Sequence, residues 1–321
     1  MSTNTLVTPV AEQPLTERRA RKKWRPYLPI LVMMLPGMIY LLINNYLPMF
    51  GLVIAFKNID YAKGILGSDW NGLTNFKFLF RTSDAYIITR NTLLYNGTFI
   101  LLGLIFSVGL AILLNEVKNK FMSRLYQSIV LLPFLISMVI VSYLVFAFLG
   151  DTQGYLNNTL LPLLGLDSMS FYSDPKYWPY ILTLVNIWKT VGYSCIIYLA
   201  TIIGIDPEYY EAATLDGASK WQQIRTITLP LLTPIIIIMT LMAVGRIFYS
   251  DFGLFYQVPM NSGMLYDTTN VIDTYVFRGL LQSSDIGMSS AAGFYQSVVG
   301  LILVVLSNYA VRRFSKDNAL F

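Results

Sequence analysis

The chain has 321 residues, 55% hydrophobic and only 13% charged, with a formal net charge of +5. Soluble domains carry about a quarter charged residues, so this composition excludes an ordinary soluble enzyme, and basic residues lying beside apolar segments speak for membrane topology and not for nucleic acid. The absence of histidine and the presence of one cysteine, Cys195, remove the commonest general base and metal ligand, and they exclude an intrachain disulfide or a cysteine–cysteine redox pair.

Residues 1–26 form a polar tail ending in Arg18, Arg19, Arg21, Lys22, Lys23 and Arg25. The apolar stretch after it is too long for a signal-peptide core and lacks a small-residue cleavage site, so it reads as a retained first helix. A helix needs roughly 20 apolar residues to cross a bilayer. Six segments qualify, at approximately 28–56, 92–114, 125–149, 178–203, 231–250 and 293–311. The expected fold is therefore an all-α polytopic membrane protein with six transmembrane helices, divided into a tail over 1–26 and a membrane domain over 27–321. Fourteen basic residues flank the spans on the side of the N-terminus and seven on the other side. That bias predicts cytoplasmic N- and C-termini, although Lys57, Lys63, Lys77, Arg81 and Arg90 run against it.

Gly, Pro, Ser and Asn inside the spans, such as Pro36, Asn44, Pro48, Gly103 and Ser107, allow close helix approach and bending. The loops over 57–90, 150–177 and 251–292 are rich in aromatics and in Asp or Asn. They read either as a docking rim or as interfacial anchors, with Trp70, Tyr172, Trp178 and Tyr266 as examples. The fourth and fifth spans each hold one cation, Lys189 and Arg246. Charges in a membrane face the bundle interior or a cavity. One reading is a polar substrate pathway lined by Asn186, Trp188, Lys189, Tyr193, Arg246 and Tyr249, with aromatic faces for sugar rings and polar groups for hydroxyls. The other is structural, with Arg246 paired to Asp251 and Lys189 reaching backbone carbonyls.

Between the fourth and fifth spans lies a polar module over 206–229. Asp206-Pro207 is a helix-start signal, and Glu208 and Glu211 suit the first turns. Gly217 supplies a helix stop, and Ser219 with Gln222 supplies a capping box for a second helix. This predicts a helix, a sharp turn and a second helix running into the membrane. An ordered module there suggests docking of a soluble partner; the alternative is a loop packed only on its own bundle.

The spacing Glu211-Ala-Ala-x-x-Asp216-Gly217-Ala218, followed by Ile227-Thr-Leu229-Pro230, resembles the EAA loop of permease subunits of bacterial binding-protein-dependent ABC importers. That resemblance implies a type I importer permease fold with a core module about 91–311 and a cytoplasmic coupling helix. It implies that Glu211, Ala212, Ala213, Asp216, Gly217 and Ala218 contact an ATPase subunit. Stretches such as Tyr46-Leu-Pro48-Met-Phe-Gly51 and Val271-Ile-Asp273-Thr-Tyr-Val-Phe-Arg278 are similar to the polysaccharide-import branch, the LplB-type permeases. The implied partners are a second homologous permease, two ATPase subunits, an extracellular solute-binding protein, an oligosaccharide and membrane lipid. No phosphate-binding loop is found, so ATP and magnesium are expected on the partner ATPase. An ion-coupled secondary transporter or channel would instead want a carboxylate in mid-span, and a membrane enzyme a cluster of His, Asp or Glu at one depth.

Overall fold

Hydrocarbon offers no hydrogen-bond partner to a peptide group, so a chain inside it must satisfy its backbone within helices. The computed structural model describes residues 28–314, and within them helices dominate. The basic tail over 1–26 and Lys316 at the C-terminus lie outside the described residues. Contacts divide the chain at Gly51 and Leu52, and the two parts are taken separately.

In the first part, α1 (Leu28–Leu41) passes into a π turn over Leu42–Tyr46 and then a 3-10 segment over Leu47–Phe56. Pro48 explains the change of pitch, since it has no N–H for the carbonyl of Asn44. Asn44 in turn donates its side-chain amide to the Tyr40 carbonyl at 3.0 Å. Its apolar side chains, including Met33, Tyr40 and Phe50, are exposed.

The second part opens with a two-residue antiparallel pairing of β1 (Lys57–Asn58) with β2 (Asp69–Trp70). The helices that follow are α2 (Ser83–Asn115), α3 (Lys120–Leu135), α4 (Met138–Leu149) and α5 (Trp178–Ile203). Beyond them come α6 (Pro207–Leu215), α7 (Lys220–Gly245, with a π turn at Ile224–Thr228), α8 (Ile272–Leu281) and α9 (Ile286–Phe314). Among the described residues five helical segments are long and apolar enough to cross a membrane, or six if α3 and α4 count as one broken span.

The centre of the bundle is the packing of α2 on α5. Val108, Ala111 and Leu114 of α2 meet Cys195, Tyr198, Leu199 and Ile202 of α5, and Leu232 of α7 closes the cluster. A second cluster near the other end joins Tyr95 to Trp178, Leu182, Leu254 and Phe255. Ion pairing adds little: Lys220 and Glu116 lie 3.5 Å apart with both side chains largely exposed, and such pairs contribute at most about 1 kcal/mol. That contact does fix the geometry, since it puts the end of α2 beside the start of α7.

Four spans differ from the sequence expectation. The third is not one helix over 125–149: α3 and α4 meet at 94°. Pro133 lies in the last turn of α3, and Ser137 caps α4 by accepting from the Ile140 N–H at 3.4 Å. The break loosens the helical ladder around carbonyls that are only partly buried, where Pro133 O keeps the Ile136 N–H at 3.3 Å, and Lys189 of α5 supplies a further donor. Its Nζ lies 3.2 Å from the carbonyls of both Pro133 and Phe134 and also bonds that of Ile136. The fifth span ends at Gly245 and not at 250, so Arg246 sits just past the helix in a turn. The second and sixth extend outward to Ser83 and Ile286.

At Gly192 of α5 a Cβ would collide with the carbonyl oxygen of Val130 in α3. Only glycine permits that approach, which brings Lys189 within reach of the break. Substitution Lys189→Met keeps the apolar stem and removes the donor. It is expected to weaken the fold by about 1–3 kcal/mol, the range for losing hydrogen bonds from a charged donor. The measurement is the melting temperature of the detergent-purified protein; an unchanged value would mean that the break holds without Lys189.

Candidate functional site

Asp206 accepts from the Glu208 N–H at 3.0 Å and starts α6, with Pro207 in the first turn. The helix stops at a turn in which Ala218 N donates to Ala213 O at 2.9 Å and Gly217 N to Thr214 O at 3.0 Å. Gly217 has φ of +80°, as this termination requires. Ser219 and Gln222 then form a capping box that opens α7. The buried Gln223 ties the two helices together, donating to Thr214 Oγ1 at 2.9 Å. Tyr210 and Thr228 hydroxyls add a second tie at 3.0 Å.

Glu211, Ala212, Asp216 and Gly217 are exposed on this turn, and Ala213 and Ala218 are half-buried. Sequence reasoning missed three apolar neighbours. Leu215 is 89% exposed, and Tyr209 and Trp221 are also exposed. The signal was present, since Leu215 is a large apolar residue directly before Asp216-Gly217, where a solvated turn has no use for it.

Further along the bundle, α2, α5 and α7 enclose a cavity of about 280 Å³. On α5, Asn186, Thr190, Ser194 and Tyr198 recur every four residues and face it. From α2 come Asn96, Gly103 and Ser107; from α7, Thr240 and Ala243. Arg246 and Tyr249 complete the wall from the segment after α7. Among the described residues, the side chains of Asn186, Arg246 and Tyr249 make no hydrogen bond or ion pair. Asp251 does not pair with Arg246; its carboxylate caps the helix Phe252–Gln257 by accepting from the Leu254 N–H at 2.9 Å.

The six residues read as a pathway thus divide. Asn186, Arg246 and Tyr249 share the cavity. Trp188 lines a separate apolar groove between α2, α3 and α5. Lys189 is bonded at the α3–α4 break, and Tyr193 stacks on Phe134 at 4.6 Å between ring centroids. Helical phase takes 188 and 189 off the 186–190–194–198 stripe, whereas Tyr193, seven residues after Asn186, borders that stripe and is drawn aside by its stacking on Phe134. That stripe was visible as polar residues four apart, and it would have added Thr190 and Ser194.

Beyond the cavity, Arg278 of α8 is buried among polar loop residues. Its guanidinium donates to Asn261 Oδ1 at 2.9 Å, to Thr274 Oγ1 at 3.2 Å and to Asn270 Oδ1, and it lies 4.1 Å from the Tyr266 ring centroid. Burial lowers its pKa from the usual arginine value. Asp273, on the same helix, has its carboxyl raised by burial, against the opposing effect of hydrogen bonds from the Ser250 N–H and Gln296.

Residues 99–316 match the family model described as binding-protein-dependent transport system inner membrane component. The chain belongs to that family. This permease is similar to the protein LplB of Bacillus subtilis (strain 168), 32% identical over 93% of this chain and 91% of the relative. It is also 34% identical, over 89% of this chain and 88% of the other, to the polygalacturonan/rhamnogalacturonan transport system permease YteP of the same strain. Among solved structures, a chain of a bacterial ABC transporter involved in import of the acidic polysaccharide alginate aligns with TM-score 0.84 and 36% identity. That alignment covers 92% of this permease and 98% of the other chain. The same type of chain, in a complex of the alginate transporter with an alginate pentasaccharide-bound periplasmic protein, aligns with TM-score 0.83. The permease is accordingly a multi-pass membrane subunit of an ABC importer.

A Cβ at Gly217 would meet nothing within 4 Å, so substitution there costs conformational energy alone. Gly217→Val is expected to lose about 1–2 kcal/mol at the turn, and Gly217→Asn less, because Asn tolerates positive φ. Hydrogen exchange of the amides over 213–219 checks this. Equal exchange in the Val and Asn variants would remove backbone handedness as the reason for glycine.

Proposed function

We propose that this permease forms, with a second homologous permease, the transmembrane path of an ATP-driven importer for acidic oligosaccharides. The observation that carries the reading is the free guanidinium of Arg246 in a cavity that presents amide, hydroxyl and aromatic groups among aliphatic ones such as Ile100, Leu104 and Met239. An unpaired cation in a membrane is costly and persists where a mobile anion or cavity water meets it. Carboxylates along a uronic-acid chain suit Arg246, hydroxyls suit Asn186 and Thr190, and the Tyr249 ring suits a sugar face. Relatives named for polygalacturonan and alginate import agree with this chemistry.

In this reading the solute arrives on an extracellular binding protein, and the work is done by ATP and magnesium on two separate ATPase subunits. The turn over 206–218 is the contact with one of them. Its rigid capping, exposed Glu211 and Asp216, and bare Leu215 suit a surface that must transmit displacement without yielding. The excess of basic residues on that side supports a cytoplasmic position for the turn and both termini. Closure of the ATPase pair would then act on α5 and α7, the two cavity helices that the turn joins.

The test uses the assembled transporter in proteoliposomes with its binding protein. Arg246→Gln is expected to reduce uptake of short alginate or polygalacturonate oligosaccharides about tenfold or more, while neutral galacto-oligosaccharides change little. Equal loss for both classes would sink the charge-recognition reading. Glu211→Lys is expected to abolish most substrate-stimulated ATP hydrolysis; intact stimulation would remove the turn as the ATPase contact.

A further inference from the structure

The segment Arg246–Ser250 contributes Arg246, Ile247 and Tyr249 to the cavity but belongs to no helix. Besides local turn bonds, its backbone is held by three helices remote in sequence. Asn96 of α2 donates its amide to Ile247 O at 2.8 Å, to Tyr249 O at 3.3 Å and to Ser250 Oγ at 3.1 Å. Gln296 of α9, itself buried, donates to Phe248 O at 2.7 Å. The same amide donates to both carboxylate oxygens of Asp273 in α8 at 3.2 Å. Asp273 in turn accepts from the Ser250 N–H at 2.8 Å.

These bonds engage four successive backbone groups. Between them the Phe248 side chain is 2% exposed and meets Tyr295 edge-on, while Arg246 and Tyr249 turn into the cavity. Asp273 has no cationic partner among the described residues, since Arg278 of the same helix is spent on Asn261, Asn270 and Thr274. Even a half-buried carboxylate without a counter-ion is costly to keep. Here it helps to fix an irregular strip of chain whose own bonds are the short turns Ile247 N to Val244 O and Tyr249 N to Arg246 O.

We infer that Asp273 and Gln296 are positioning residues for substrate recognition: by gripping Phe248 O and Ser250 N they set where Arg246 and Tyr249 stand in the cavity. The Val271–Arg278 stretch, prominent in the sequence, thereby gains a role at the cavity through Asp273. The inference rests on the cavity being the oligosaccharide path.

The experiment measures uptake by the assembled transporter in proteoliposomes, using whichever short alginate, polygalacturonate or galacto-oligosaccharide the wild type carries best. Gln296→Ala and Asp273→Ala are expected to raise the half-saturating concentration about tenfold, with the maximal rate nearly kept. Asp273→Asn retains an acceptor oxygen for Ser250 and is expected to shift it less. Combined with Arg246→Gln, the Asp273 and Gln296 changes add little, because they act through the same segment. A lower maximal rate or less assembled complex with unchanged half-saturation would overturn positioning and leave both residues structural. Should Asp273→Ala fail to assemble, Asp273→Asn and Gln296→Ala decide by the same criterion. If Arg246→Gln leaves uptake unaltered, the cavity reading itself falls; if only the Asp273 and Gln296 variants behave as wild type, positioning alone falls.

Discussion

An interruption of a helix within the bilayer exposes peptide groups that lipid cannot bond, and at two of them this permease answers with polar side chains from other helices. At the α3–α4 break the answer is Lys189. In the segment after α7 it is Asn96, Asp273 and Gln296. At the end of the bundle that carries α6 the turn answers for itself, with Asp206, Gly217 and the Ser219–Gln222 box. The same constraint sorts the polar residues of the spans into two populations. One is consumed in holding irregular backbone; the other, led by Asn186 and Arg246, is left free at the cavity.

That sorting marks the limit of what the sequence could convey. Span number, the extent of α5 and the helix–turn–helix over 206–229 follow from hydropathy and capping residues, which act locally. The EAA spacing led to the family for the same reason. The fate of Lys189 and Arg246 is not local. Both appear as single cations in apolar stretches, and nothing near Lys189 in sequence announces that Pro133, fifty-six positions earlier, has opened a set of carbonyls beside it. Trp188 and Lys189 stand next to Asn186 along the chain, whereas a helix groups residues by phase, and Tyr193, close to Asn186 in phase, is claimed by Phe134 of another helix. The bend of 94° was likewise hidden, since Pro133 alone does not distinguish a kink from a full reversal of direction.

The cavity and the turn differ in how they are built. The turn is locally coded, short-range and closed on itself, so its form depends on few distant residues. The cavity draws walls from α2, α5 and the strip after α7, and its strip is held from α8 and α9. Of these two, α8 also meets the loop residues Asn261 and Tyr266 through Arg278. One short helix, α8, therefore holds both the strip beside the cavity, through Asp273, and those loop residues.

The arrangement around residues 246–250 separates scaffold from display. The bonds that hold the strip involve its peptide groups, the Ser250 hydroxyl and the buried Phe248, and none of them uses the side chains of Arg246 or Tyr249. Those two positions are consequently open to replacement without loss of the frame that presents them. A lineage of such permeases could change its diet by single substitutions there, trading a cation for an amide or a ring for a hydroxyl, while the pinned backbone stays as it is.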